Sequence, residues 1–373
     1  MIERTCHASR DSALSISADR PKCRGYTIVE LLVCIAIIAV LVALAAPALQ
    51  QSWAASRRVQ CQSNLRNINF AMLQVADSAG RFPASGNFGR RPGSDTQSRS
   101  HHSWVVDVLP WLEQRSVADR WNKDEPIDSE TNRPLASIHV PILTCPADLS
   151  LSDPDDRQGD LSYVVNGGMG FTILWNDIHD CPIDRTGTHL DLDGDGVTCR
   201  PNGSKDAGAD RALFKATGLF FIETWEWDVT RRHYTLAEVA DGLSNTIVLS
   251  ENARSGFDPE SPSESWASPN PYRTSFYIGN PCRDGVCSAG NVDYDRSNAG
   301  DNAINSGLKT PEGRSPVPNS FHAGLVHMAF GDGRVQPVSE RIAGAVYAAL
   351  ASPQGGTLAG TPLEQPAAVG TNW

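Results

Sequence analysis

Residues 25–79 read GYTIVELLVCIAIIAVLVALAAPALQQSWAASRRVQCQSNLRNINFAMLQVADSA, an apolar segment running directly into an amphipathic one. From Leu31 to Ala46 the only polar side chain is Cys34. Ile28 and Val29 extend the apolar block to about 20 residues, enough at about 1.5 Å of helical rise each to cross a bilayer's hydrocarbon core. Arg20, Lys22 and Arg24 stand just before it, a basic flank of the kind that stays cytoplasmic. One carboxylate, Glu30, lies inside the block, where an unpaired charge is costly. Pro47 is expected to kink the helix. Beyond it Ala54, Cys61, Leu65, Ile68, Met72, Val75 and Ala79 recur at spacings of three, four or seven. That single stripe predicts that this half packs on a globular domain, with Gly80 and Pro83 ending the helix.

Gly25-Tyr26-Thr27-Ile28-Val29-Glu30-Leu31-Leu32 resembles the processing site of type IV prepilins and type II secretion pseudopilins. The resemblance implies a prepilin peptidase that cuts after Gly25 and methylates the new amine of Tyr26. It makes Glu30 the fifth mature residue and an assembly contact. Family members usually begin with Phe, so Tyr26 is a departure. Residues 1–25 are then the leader, 26–49 the transmembrane half of the helix and 50–80 its amphipathic half. Two plainer readings compete. A secretory signal cut near Ala43-Leu44-Ala45 does not account for Glu30. An unprocessed anchor leaves the Gly-aromatic-x-x-x-Glu arrangement unexplained.

The 373-residue chain carries a formal net charge of −11, which argues against a nucleic-acid surface. Thirty-one Gly and 24 Pro imply a loop-rich, mainly β exterior. Of nine cysteines, Cys6 and Cys23 fall in the leader and Cys34 in the apolar block. The remaining six, Cys61, Cys145, Cys181, Cys199, Cys282 and Cys287, are an even set that the positive-inside rule places in an oxidising compartment. Cys181–Cys199 and Cys282–Cys287 are the sequence-local pairings, leaving Cys61–Cys145 to pin the amphipathic helix to the domain. No metal-type CxxC spacing occurs among them, which argues against a zinc site.

Along the chain, Trp104–Glu113 predicts a short helical or extended segment packing two tryptophans. Ser162–Gly168 predicts a strand closed by a glycine turn, and Leu219–Trp227 another strand. Asp241–Glu251 reads as a turn feeding a buried strand, and Leu325–Val338 as a hairpin about Gly331-Asp332-Gly333. Irregular loops are expected over 255–320, a terminal helix over Ile342–Leu350, and a flexible tail over 353–373. Several of these stretches extend the resemblance: Cys61 with Asn64-Leu65, Trp104–Glu113, Cys145-Pro146-Ala147-Asp148, Ser162-Tyr163 with Asn166, and Asp241-Gly242 with Ser244-Asn245-Thr246. His322, followed after nine residues by Asp332-Gly333, completes them. Together they are similar to a bacterial family of prepilin-like proteins with a periplasmic domain ending in an H-x9-DG motif. The resemblance carries no activity with it.

Asp191-Leu192-Asp193-Gly194-Asp195-Gly196-Val197 is the best candidate ligand site, with carboxylates at loop positions 1, 3 and 5 and the turn glycine at 6. Calcium would bind through Asp191, Asp193, Asp195 and the Val197 carbonyl. Position 12 is Asn202 rather than glutamate, so Asp184 or Asp206 would have to help, and Cys181 and Cys199 bracket the loop. A solvated acidic turn is the bland alternative. His322, Asp332 and Gly333 form a motif of unassigned role. Asp332-Gly333 is what a tight turn requires, and His322 is expected to pack near that turn. The tryptophans at 104, 111, 121, 175, 225, 227 and 266 would line a glycan platform or, more simply, fill a core.

These readings converge on an α+β fold: a pilin-like long N-terminal helix packed on a loop-rich, mainly antiparallel β domain over 81–352. The expected function is that of a structural, non-enzymatic pseudopilin-like subunit of a type II secretion or type IV pilus-like assembly. It would sit in the inner membrane as a single-pass protein, N-terminus cytoplasmic and main domain periplasmic. Its partners would be membrane lipid, prepilin peptidase and related subunits. The alternative is a membrane-tethered ligand- or glycan-binding module with a calcium loop.

Overall fold

A computed structural model describes residues 27–90, 98–148, 159–170, 174–175, 177–178, 182–184, 187–198, 208–224, 233–256, 265–288 and 290–365. The chain divides into two compact units, Met1–Trp53 and Ala54–Trp373. Helix α1, Ile28–Ala79, contributes to both. Its start is fixed by a reciprocal cap. The backbone N–H and hydroxyl of Thr27 donate to Glu30 Oε2 at 2.8 and 2.9 Å, and the Glu30 N–H donates back to Thr27 Oγ1 at 3.3 Å. This is the Thr-x-x-Glu capping box, a local signal that a reading centred on charge overlooks. In the first unit the apolar side chains stay bare: Ile28 is 83% and Leu44 74% exposed. The helical backbone runs through Pro47 without interruption. The expected cleavage residues Gly25 and Tyr26 lie outside the described residues.

In the second unit α1 buries Cys61, Leu65, Ile68, Met72 and Val75, as their spacing predicts. Ala54 and Ala79, assigned to the same stripe, are exposed, so burial begins and ends one or two turns inside it. Gly80 follows with φ +70°, the left-handed residue that terminates a helix. The remaining elements are β1 Gly86–Arg90, β2 Ser98–Ser103, α2 Trp104–Val108, α3 Arg115–Ala118, α4 Arg133–Ala136, β3 Tyr163–Met169, β4 Leu174–Trp175, β5 Asp177–Ile178, α5 Gly208–Ala216, β6 Ile222–Thr224, β7 Ile247–Glu251, α6 Pro271–Thr274, β8 Ser275–Ile278, β9 Leu325–Phe330, β10 Val335–Ser339 and α7 Gly344–Ala351.

The main sheet has the order β10-β9-β7-β3-β8, and a second sheet the order β2-β1-β6. Strand pairings among the described residues are antiparallel except β3 with β8 and β1 with β6, so these two sheets are mixed. Every residue of β3, β7 and β8 is buried, which requires cover on both faces. One face receives α1, where the Tyr163 hydroxyl donates to the Cys61 carbonyl at 3.2 Å. Three residues on, the Asn166 amide donates to the carbonyls of Ile247 and Ala351 at 2.8 and 2.7 Å, tying β3 to β7 and to the end of α7. The structure is thus the expected α+β layout.

Several local expectations change. Gly167 and Gly168 do not close β3 but lie inside it, where a side chain at Gly167 would collide with the Tyr277 ring. Of the two tryptophans in Trp104–Glu113 only Trp104 is core, its indole N–H donating to the Thr274 carbonyl at 3.0 Å, while Trp111 is 41% exposed. Residues 255–320 include α6 and β8. The tail does not loosen at 353: Leu358 and Leu363 are fully buried, and the Leu363 carbonyl accepts the Tyr294 hydroxyl at 2.6 Å.

Candidate functional site

Strand order brings together residues that the sequence keeps far apart. Tyr163 in β3 stands opposite Glu251 in β7, and β9 flanks β7 on its other side. Glu251 ends β7 and is fully buried. Its Oε2 accepts the His327 backbone N–H at 2.8 Å, and its Oε1 lies 3.1 Å from His327 Nδ1 and 3.4 Å from His322 Nε2. The two imidazoles meet edge-on with centroids 5.0 Å apart.

A loop strapped to the end of β7 delivers His322. The Asn319 N–H donates to the Glu251 carbonyl at 3.1 Å, and the Ala253 N–H donates to the Asn319 carbonyl at 2.9 Å. The Asn319 amide adds a bond to Asn252 Oδ1 at 3.1 Å. Beside this cluster the Cys61–Cys145 disulfide joins α1 to the loop that precedes β3. Cys145 Sγ lies 3.7 Å from His322 Nε2 and 4.0 Å from Glu251 Oε1.

The electrostatics follow from the partners. Burial raises a carboxyl, but the hydrogen bonds and charges of His322 and His327 outweigh it and hold Glu251 down at about 2. Glu251 is therefore an ionised carboxylate in a dry interior. Burial, with that carboxylate nearby, pushes the Tyr163 phenol well up, so it remains a neutral donor to the Cys61 carbonyl. Both Cys sulfurs, a Glu251 oxygen and a His322 nitrogen all lie within 4.8 Å of one another. While the sulfurs are bonded together, the cluster is a satisfied polar core and a covalent clip.

The sequence singled out His322 but neither Glu251 nor His327. Each left a signal: one carboxylate closing Ile247-Val248-Leu249-Ser250-Glu251, and one imidazole inside Leu325-Val326-His327-Met328-Ala329-Phe330. A charge in an otherwise apolar buried strand requires a partner. His322 does not pack near the Asp332-Gly333 turn as expected, because the two ends of the motif sit at opposite ends of β9. At that turn the Gly333 N–H donates to the Phe330 carbonyl at 3.0 Å, and Gly333 has φ +88° with the Phe70 ring of α1 against it. Asp332 Oδ1 accepts the Arg334 N–H at 3.0 Å. Asp332 and Gly333 thus build the turn.

The acidic loop is folded as a tight coil. The two oxygens of buried Asp191 accept the N–H groups of Gly194 and Gly196 at 2.7 and 3.0 Å. Asp193 Oδ1 accepts from Asp195 at 3.1 Å, and Asp195 Oδ1 from Val197 at 2.7 Å. Ligand oxygens of Asp191, Asp193 and Asp195 fall within 4.8 Å of one another. A fourth carboxylate arrives from α5: Asp210 Oδ1 accepts the Leu192 N–H at 2.6 Å, and burial pushes its carboxyl up to about 6. Sequence reasoning named Asp184 and Asp206 as helpers. Asp184 accepts the Thr188 N–H at 2.9 Å, while Asp206 and Asn202 lie outside the described residues.

The pairing Cys181–Cys199 also lies outside the described residues. The staple seen at this loop is the Cys282–Cys287 disulfide. The Asp191 N–H donates to the Gly285 carbonyl at 2.9 Å, and the Cys287 N–H to the Asp191 carbonyl at 2.8 Å. Trp104, Trp121 and Trp266 are buried, with the last two rings 5.8 Å apart, and so leave the proposed platform. Trp225 and Trp227 lie outside the described residues.

Comparison with known families gives two matches. Residues 50–344 match a family described as a protein of unknown function (DUF1559), and residues 20–46 match the prokaryotic N-terminal methylation motif. No curated protein and no solved structure matches the chain.

Proposed function

This chain belongs to the DUF1559 family and is prepilin-like at its N-terminus, and from that premise we propose that it is a structural pseudopilin-like subunit. In this reading the first half of α1 anchors the chain in the inner membrane, with the basic flank inside and the second unit outside. Prepilin peptidase cuts after Gly25, and the mature subunit joins a type II secretion or type IV pilus-like assembly. The observation that carries it is the methylation motif continued by one helix long and apolar enough to cross a membrane, whose side chains have no cover of their own. A non-enzymatic role agrees with the buried cluster, where Glu251 and both histidines are turned on one another and on a disulfide.

Glu30 has two claims on it. In the single chain its carboxylate caps Thr27, but after cleavage the new amine of Tyr26 lies about one helical turn away, on the same or a neighbouring subunit. A charge pair in low dielectric sets register when its geometry is good. Mass analysis of the protein from native membranes is expected to show a chain starting at N-methylated Tyr26. A Glu30→Ala variant is expected to be processed and inserted but to lose the cross-linked ladder of the wild type. A mature chain beginning near Met1, or after Ala45, overturns the processing step. An unchanged ladder in the variant removes Glu30 from assembly.

A second reading, a tethered calcium-binding module, is favoured by the acidic loop. One carboxylate oxygen from each of Asp191, Asp193 and Asp195 lies within 4.8 Å of the others, close enough to share a calcium shell. Calorimetry is expected to show calcium binding in the roughly 10⁻⁴–10⁻³ M range of extracellular modules. Asp193→Ala should abolish the heat. Equal heats for variant and wild type, or none at millimolar calcium, exclude the site.

A further inference from the structure

The buried cluster around Glu251 holds four donor atoms of the kinds that zinc prefers, and two of their separations are already those of a coordination shell, with a third slightly longer. His322 Nε2 to Glu251 Oε1 is 3.4 Å, Cys145 Sγ to His322 Nε2 is 3.7 Å, and Cys145 Sγ to Glu251 Oε1 is 4.0 Å. A tetrahedral zinc with ligand bonds of about 2.0–2.3 Å has edges of roughly 3.3–3.8 Å. The first two separations fall in that range and the third is slightly longer, so these three atoms approximate one face of such a tetrahedron. Cys61 Sγ, on α1, is the fourth donor within 4.8 Å; bonded to Cys145 Sγ at 2.03 Å, it can take the fourth corner only once that bond opens.

We infer that reduction of the Cys61–Cys145 disulfide converts this cluster into a closed, four-ligand zinc site made of Cys61, Cys145, His322 and Glu251. The site is redox-gated. A dithiol reductant supplies two electrons and two protons: the Sγ–Sγ bond breaks, two thiols form, and the reductant closes its own disulfide. Zn²⁺ then replaces the two thiol protons, which leave to solvent. Exchange with a small-molecule disulfide reverses the step: the Sγ–Sγ bond re-forms, the oxidant is reduced to two thiols with two protons from solvent, and Zn²⁺ is released.

The surroundings suit a metal better than a chance polar core. All four ligand residues are buried, which leaves no open coordination position and makes the site structural rather than catalytic. Three of the four ligand residues are also held from behind. The Cys145 N–H donates to Ser162 Oγ at 3.1 Å, the Cys61 carbonyl accepts the Tyr163 hydroxyl, and Glu251 Oε2 accepts the His327 N–H. Such outer partners orient ligands and raise affinity. The absence of a CxxC spacing, which argued against zinc in the sequence, does not apply: the cysteines lie 84 residues apart and are brought together by the fold. Either linkage, covalent or metallic, pins α1 to the sheet.

The test uses the full chain in detergent, reduced with a phosphine, which transfers the oxygen of water to phosphorus and its two hydrogens to sulfur. Zinc alone, and cobalt as its coloured stand-in, are then titrated. The expected result is one tight equivalent, a thiolate-to-cobalt charge-transfer band and a raised Tm relative to the reduced apo protein. The oxidised protein should show none of these. His322→Gln, which keeps the disulfide and can be checked for folding in the oxidised state, should weaken zinc binding by more than about 100-fold, beyond the usual loss from an outer-shell partner. The thiolate band separates this site from the acidic loop, which has no sulfur donor. The inference is overturned if reduced wild type binds no more zinc than a Cys61→Ser, Cys145→Ser double variant. It also fails if His322→Gln binds as wild type does, or if zinc restores no stability to a reduced protein that has unfolded.

Discussion

Replacing Cys61 and Cys145 together by serine is expected to lower the unfolding free energy of the oxidised protein by about 4.5 kcal/mol. The same replacement at Cys282 and Cys287 should cost about 2 kcal/mol. The difference comes from the loops that each bridge closes, 84 residues against 5, because the chain-entropy cost of closure grows with the logarithm of loop length. The long bridge also joins α1 to the loop before β3, so its loss frees the helix as well as the unfolded chain. Chemical denaturation of the two double variants checks the ratio. Equal losses would mean that native-state strain or residual unfolded structure, rather than closure entropy, dominates.

The second large effect is expected at Glu251. Glu251→Ala should destabilise the protein by about 3–5 kcal/mol, the range for breaking a buried pair from one side. It strips an acceptor from the His327 backbone N–H and the carboxylate partner from two buried imidazoles. Glu251→Gln should cost less, since its carbonyl still accepts one N–H while its amide adds a donor among donors. Acid should reproduce part of the loss. The folded carboxyl is depressed to about 2 from an ordinary 4.5, so its stabilisation is complete above pH 4.5 and disappears as pH falls toward 2. That contribution is about 3 kcal/mol. Denaturation curves of the disulfide-bonded protein across this window should be steep for wild type and flatter for Glu251→Gln. Parallel curves would show that Glu251 is not what titrates.

Features governed by neighbours along the chain were readable without a structure. An unbroken apolar run from Leu31, a stripe at three- and four-residue spacing, and Gly80 after it define α1 and its buried face, because helical geometry is local. The β9–β10 hairpin was equally plain, since its turn needs a glycine at positive φ and Gly333 supplies it. The resemblance to prepilins rested on such contiguous residues, and the match of residues 20–46 to the methylation motif agrees with it. The capping role of Glu30 is just as local, since it follows from a threonine three residues before it.

Only the tertiary structure decided which distant residues meet. Cys145 and Glu251 are 106 positions apart and Cys145 and His322 are 177 apart, yet they share one dry cluster. Their meeting depends on β7 lying between β3 and β9, a strand order that hydrophobic alternation does not encode. The same holds at the acidic loop, where Asp210 arrives from α5 and the Cys282–Cys287 loop supplies the brace. Period and spacing specify the face that a side chain presents. Which partner covers that face is settled by long-range packing, where a buried charge is stable only beside groups that satisfy it.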